Sequence, residues 1–266
     1  MVFINDAVKE VTLKLVYYGP GLSGKTTNLE YIHSAPDVGN KGKMLSMATE
    51  TDRTIFFDFM PMDLGKAGEY KIRTQLYTVP GQVFYDATRR LVLRGADGVI
   101  FVADSQREMM QSNLESLKNL KDNLVINGID PDKIPIILQY NKRDLPNTLG
   151  LAELDSILNP KGFPTYEAVA VRGDGVIDTF REALKRIIHN LNHRVDIMLK
   201  EIPQAPAAAE ESPQPVRQDP LDMLKSFYHH NENMLKLLAS IMEEIKQQQE
   251  YLGDYLHGDG SQINEK

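Results

Sequence analysis

The chain has 266 residues, 42% apolar and 25% charged, enough for one domain of roughly 100 to 200 residues plus an appendage, and these proportions exclude collagen-like, low-complexity and wholly disordered sequence. With no cysteine, disulfides, thiolate zinc sites, iron–sulfur clusters, a cysteine nucleophile, prenylation and palmitoylation are excluded too. The net charge of -7 comes from the far end, since residues up to Lys200 hold 25 basic and 25 acidic side chains and the rest 5 and 12, so neither part offers a basic footprint for nucleic acid or an anionic membrane.

In chain order, the apolar runs 13–18, 75–79, 98–103, 134–140 and 168–171 read as strands, several apolar on both faces. Between them the 3.6-residue period predicts helices over 25–34, 85–94, 105–127, 151–158 and 176–200. This alternation predicts an α/β fold, a mostly parallel sheet with helices on both faces. Residues 201–220 contain five prolines and little that could be buried, so they read as a linker reaching about 60 Å when extended. From Leu221 to Tyr255 there is no proline and a single glycine, and apolar residues recur at helical spacing, predicting a separate long helix over 221–257 before a disordered end, 258–266. The opening residues lack a basic stretch followed by an apolar one, and no apolar run reaches about 18 residues, so a cytoplasmic protein with no integral membrane segment is expected.

Gly19-Pro20-Gly21-Leu22-Ser23-Gly24-Lys25-Thr26 fits G-x-x-x-x-G-K-[ST] and lies between a strand and a helix, as that motif requires of a P-loop NTPase. Glycines let the backbone curl with its N–H groups inward, and the helix start adds partial positive charge for phosphate oxygens. Lys25 then reaches the β- and γ-phosphates, Thr26 offers a hydroxyl to Mg²⁺, and Thr27 continues the first helical turn. Asn141-Lys142-Arg143-Asp144 follows the strand 134–140, at the edge where open α/β sheets bind ligands. Asp144 is suited to accept two hydrogen bonds from guanine, whereas adenine lacks the donor pair and would leave the carboxylate unmatched. Asn141 would brace the base and the adjoining loop.

With these motifs the chain resembles the Ras-like small GTPases. The likeness extends to Glu167-Ala168-Val169-Ala170-Val171, where it implies that the Ala170 N–H contacts guanine O6 with Val169 beside it. The stretches Val16-Tyr17-Tyr18-Gly19-Pro20-Gly21, Glu50-Thr51-Asp52-Arg53-Thr54 and Tyr77-Thr78-Val79-Pro80-Gly81-Gln82-Val83-Phe84-Tyr85 look like the bacterial MglA-type branch. The resemblance covers residues 1 to about 195 and implies a GTPase domain over 1–200, binding GTP and GDP with Mg²⁺. Most Ras-like proteins carry Asp-x-x-Gly-Gln at the second switch, the aspartate bracing the Mg²⁺ shell. Here Thr78 stands in that place, as in MglA-type proteins, and Asp52 and Asp58 are nearby candidates to compensate.

Gln82 has the chemistry to orient the attacking water, and the Gly81 N–H would bind the γ-phosphate. Thr49, Thr51 and Thr54 compete for the first-switch threonine that touches Mg²⁺ and γ-phosphate; the resemblance favours Thr54 and implies that Arg53 is an arginine finger supplied in cis. Asp86, Arg89, Arg90 and Arg94 form either a partner-reading face or a solvated one, and His189 and His193 read as surface residues. In the tail, Leu224, Asn231, Leu238, Ile245 and Leu252 at heptad position a lie beside Phe227, Met234, Ile241, Gln248 and Tyr255 at d, a broad stripe that needs a second copy, the GTPase domain of its own chain or a helix on another protein. The expected function is a GTP-hydrolysing switch. The resemblance implies bacterial cell polarity or motility, a roadblock-fold MglB-type activator and effectors whose identity the residues do not reveal. The competing expectation is a nucleotide-locked interaction module with negligible hydrolysis, acting through its C-terminal helix.

Overall fold

The structure, a computed structural model, describes residues 3–5, 8–36, 38–46, 57–67, 69–82 and 85–201. Outside the described residues lie Thr49, Thr51, Asp52, Arg53 and Thr54 of the first switch, together with the remainder of the expected linker, the tail helix and the disordered end. Contacts within the chain divide it into Met1–Pro203 and Gln204–Lys266, and every described residue belongs to the first unit.

Among the described residues one sheet is built from β1 (Phe3–Asn5), β2 (Glu10–Tyr18), β3 (Asn40–Lys41), β4 (Leu45–Ser46), β5 (Asp58–Ala67), β6 (Tyr70–Thr78), β7 (Gly98–Asp104), β8 (Ile136–Asn141) and β9 (Thr165–Glu167). Its order is β3-β5-β6-β2-β7-β8-β9, with β1 on β2 and β4 on β5. From β6 to β9 the pairings are parallel, while β5 is antiparallel to β6. The helices are α1 (Lys25–Ser34), α2 (Asp86–Leu93), α3 (Met110–Ile126), α4 (Leu151–Leu158) and α5 (Val176–Glu201).

Successive strand side chains point to opposite faces, and both faces are covered. Leu13, Leu15 and Tyr17 of β2 pack with Leu29 and Ile32 of α1 and with Phe180, Ala183 and Ile187 of α5. Val16 and Tyr18 pack with Val92 and Leu93 of α2, Leu120 and Leu124 of α3, and Leu154 and Leu158 of α4. Every residue of β7 and β8 is therefore buried, which is why these strands read as mostly apolar runs, with Asp104, Gln139 and Asn141 the buried polar exceptions. Emptying such a site, as in Phe180→Ala, should cost about 3 to 5 kcal/mol.

Three sequence expectations need correction. The run 168–171 is no strand: β9 ends at Glu167, and Ala168–Ala170 are buried in a loop whose Val169 makes only an isolated bridge to Asp174. Burial against the phosphate-binding end, not a strand ladder, explains the apolar composition. Second, α3 begins at Met110 rather than at 105, because Ser105 first pairs with Asn141 and Leu149 through its backbone and a single 3-10 turn, Arg107–Met109, intervenes. Third, β5 went unread because Pro61 and Gly65 punctuate it. Pro61 is tolerated beside the short edge strands, where its carbonyl accepts the Gly42 N–H (2.8 Å), and Gly65 takes up a register shift after Asp63. No helix among the described residues is long and apolar enough to cross a membrane.

Candidate functional site

The phosphate loop joins the buried end of β2 to α1. Gly24 caps the helix at φ 101°, and a Cβ there would stand 2.2 Å from Asn141 Nδ2, so both backbone and space demand glycine. No side chain caps the helix and its first turn carries no acid, which leaves its amide donors and positive end to an anion. Lys25 Nζ donates to the carbonyls of Gly19 (3.0 Å) and Pro20 (2.6 Å). Burial lowers its pKa to about 7, with Asp58 opposing the shift and Arg89 adding to it. Ser23 Oγ is buried and finds no hydrogen-bond partner among the described residues, and Leu22 stands exposed at φ 59°. Gly21 is backed by Gly81, where a Cβ would come within 2.3 Å of the Gly21 nitrogen.

Beside the loop, Asp58 is fully buried at the start of β5. Its Oδ2 accepts from Thr26 Oγ1 (2.7 Å) and Thr78 Oγ1 (2.7 Å), its Oδ1 accepts from Ser46 Oγ (2.6 Å), and its N–H donates to Thr78 Oγ1 (2.8 Å). Antiparallel pairing of β5 with β6 sets this contact, running from Phe59 opposite Tyr77 into Asp58 beside Thr78. A carboxylate thus lies directly behind the Thr26 hydroxyl, supplied by β5 because β6 offers a threonine. Thr26, with Asp58 behind its hydroxyl, is the residue here that would hold a Mg²⁺ ion. This oxygen-only set fits that ion.

The segments expected to read the base border a cavity of about 160 Å³, with Leu22, Gly24 and Thr27 on one side and Asn141, Lys142, Asp144, Leu145 and the loop Val169–Ala170–Val171 on the other. Asn141 ties the two sides: its Nδ2 donates to the Ser23 carbonyl (2.8 Å) and its Oδ1 accepts the Ala170 N–H (2.9 Å). Lys142, at φ 64°, donates to the buried Asp104 (2.6 Å), whose other oxygen accepts the Gln106 N–H. Arg143 clamps the neighbouring loops through Glu167 (3.0 Å) and the Leu149 carbonyl (2.7 Å). Asp144 is exposed at the cavity rim, free to meet a base edge from solvent.

Residues 44–189 match the Ras family. Over 191 residues the chain is 54% identical to the Mutual gliding-motility protein MglA of Myxococcus xanthus (strain DK1622), spanning 72% of this chain and 98% of that protein. The chain belongs to the Ras family. It is also 26% identical to ADP-ribosylation factor-like protein 4A of Homo sapiens over 156 residues, 54% of this chain and 64% of that protein. Ras-related protein RABA2b of Arabidopsis thaliana matches at 26% over 148 residues, 54% of this chain and 66% of that protein. As a Ras-type small GTPase the chain is a GTP hydrolase.

Against that family frame, the structure brings together Gly19 to Thr27, Gly81, Asn141, Lys142, Asp144, Val169 and Ala170. Gln82 is exposed next to Gly81, while Arg53 and Thr54 lie outside the described residues. Sequence reasoning passed over Ser46, Asp104 and Tyr18, whose roles arise from partners on other strands and helices. It also left Arg89 on a charged surface, whereas that side chain is buried. His189 is exposed, as expected.

Proposed function

We propose that this chain is a GTP/GDP switch of the bacterial cytoplasm that binds its nucleotide with Mg²⁺ and governs cell polarity or surface motility. The observation that carries the nucleotide reading is the double bracket of Asn141, which ties the phosphate loop at Ser23 to the base loop at Ala170 around one cavity. The motility reading leans on 54% identity to a protein named for gliding motility. In this assignment Asp144 reads guanine, the Ala170 N–H, which here donates to Asn141 Oδ1, would turn to the guanine carbonyl with Val169 beside it, and Lys142, held by Asp104, supports the base and loop. The amides of residues 21 to 26 and the Lys25 ammonium bind the phosphates. Mg²⁺, held by Thr26 and Thr54 with Asp58 behind Thr26, would neutralise charge on the β- and γ-phosphate oxygens.

Hydrolysis then depends on Gln82, which orients water, and on Arg53, which stabilises charge developing on the transferred group. Because Asp58 supplies the carboxylate missing at Thr78, the threonine does not force the site into a nucleotide-locked, inert form. Residues 1–200 form the switch, 201–220 the tether, 221–257 an association helix, through self-pairing or a partner helix, and 258–266 a disordered end; a roadblock-fold MglB-type protein is the proposed activator. Single-turnover GTP hydrolysis tests the reading: Gln82→Ala and Arg53→Ala should each slow turnover, with an arginine finger worth about 10³ to 10⁵ in rate, at nearly unchanged GDP affinity. Wild-type turnover in both variants, with and without an activator, would refute it.

A further inference from the structure

Behind the second switch lies a buried polar network that the nucleotide chemistry does not use. Arg89, on α2, is 6% exposed, whereas its neighbour Arg90 is half-exposed and pairs with Asp86 at the surface. Burying a guanidinium is costly unless its planar fork of donors finds acceptors. Arg89 Nη1 donates to the carbonyls of Pro80 (3.4 Å) and Gln82, Nε donates to Asn119 Oδ1 on α3 (2.8 Å), and Nη2 donates to Asp86 Oδ1 (3.3 Å). Asp86 Oδ1 also accepts from Asn119 Nδ2 (2.7 Å) and Asn123 Nδ2 (2.9 Å). The Tyr18 hydroxyl on β2 closes the far end, donating to Asn119 Oδ1 and accepting from Asn123 Nδ2 (3.3 Å).

Two of these acceptors flank Gly81. The segment 80–82 is therefore held from opposite sides, by Gly21 of the phosphate loop against Gly81 and by the Arg89 guanidinium at Pro80 and Gln82. Docking α2 does not by itself call for an arginine here, since Val92 and Leu93 already anchor that helix in the core. What an apolar residue lacks is a fork whose Nη1 grips two backbone carbonyls while Nε and Nη2 hold Asn119 and Asp86. We propose that Arg89 is a positioning residue for GTP hydrolysis: mounted on Asn119, Asn123 and Tyr18, it fixes the backbone that presents Gln82 to the attacking water. This assignment rests on the hydrolytic reading above.

The test is a double-mutant cycle on the full-length chain, reading single-turnover GTP hydrolysis, GDP affinity and thermal melting of the GDP-bound form. Arg89→Met keeps the stem and removes the fork; hydrolysis should fall by about 10- to 100-fold, the usual consequence of misplacing a catalytic group by an ångström, while GDP affinity stays within about threefold. Arg89→Lys should fail similarly, because an ammonium cannot span the acceptors. In the Gln82→Ala background Arg89→Met should have less than about a twofold further effect, since the two side chains act as one unit. Should Arg89→Met not fold, Tyr18→Phe carries the test by deleting one hydroxyl at the far end: a severalfold loss is expected that vanishes in the Gln82→Ala background. Full hydrolysis in the folded Arg89→Met variant, or a loss of equal size with and without Gln82, overturns the assignment alone. A wild-type chain without turnover, or Gln82→Ala as fast as wild type, overturns the hydrolytic reading and the assignment with it.

Discussion

Replacing Asp58 by asparagine keeps shape and volume but removes the charge that Thr26, Thr78 and Ser46 share. In the nucleotide-free protein the effect on stability should be small, about 1 kcal/mol, because losing charge-assisted bonds is partly offset by no longer burying a carboxylate. With Mg²⁺ and nucleotide the balance changes, since Thr26, the expected metal ligand, would be oriented by a neutral amide rather than an anion 2.7 Å away. Removing such a supporting partner typically weakens metal binding by about 10- to 100-fold, or about 1.4 to 2.7 kcal/mol. Release of a fluorescent GDP, followed while free Mg²⁺ is titrated with chelator, should show the midpoint displaced to higher Mg²⁺ by that factor. Thr78→Asp alone should also perform poorly, because a second carboxylate would face Asp58 at a site where the two side chains already touch at 2.7 Å. Combined with Asp58→Asn, it should return the midpoint toward wild type. An Asp58→Asn chain that holds GDP at the wild-type Mg²⁺ midpoint would show that Asp58 only brackets β5 to the phosphate loop, and the compensation argument would fall.

Other outcomes follow from the same geometry. Asp144→Asn should trade guanine for xanthine, losing about 1 to 3 kcal/mol for GDP per mispaired group, as read by competition among GDP, XDP and ADP. Burial lowers Lys25 from 10.5 to about 7 and Lys14 to about 8, so above those values the unfolded chain carries more protons than the folded one. Stability of the nucleotide-free protein against urea should therefore rise with pH from about 7 toward 10, and Lys25→Met should flatten the lower part of that slope; a flat wild-type profile would contradict the burial of both lysines. For the tail, whose heptad pattern would put Asn231 at a core position of the proposed association helix, sedimentation equilibrium should find a dimer that Asn231→Leu strengthens while loosening its oligomer state, and a 221–257 peptide monomeric at high micromolar concentration would exclude self-pairing.

Contiguous residues disclosed the nucleotide chemistry in advance. A phosphate loop and the proposed guanine-reading turn are each written in sequence neighbours, and a turn of backbone N–H groups or a carboxylate at a strand's end needs no distant partner to be recognised. Helices such as α4 and α5 were equally plain, because a 3.6-residue apolar period is a local property. The contact of Asp58 with Thr26 was of another kind. It is made by the register of β5 against β6, a pairing across residues 20 apart that Pro61 and Gly65 hid from the strand pattern. The same holds for Arg89, which is one more charge in the sequence run Asp86 to Arg94 until α3 brings Asn119 and Asn123 over it, 30 and more residues away. Burial of Ala168, Val169 and Ala170 made the run 168–171 resemble a strand, although it is the fold of the loop against Asn141 that buries those three and leaves Val171 exposed. Spacing along a chain specifies which groups can act with their neighbours, whereas desolvation and strand register, which decide what a lone Asp, Arg or Tyr does, exist only once the sheet and helices have closed around it.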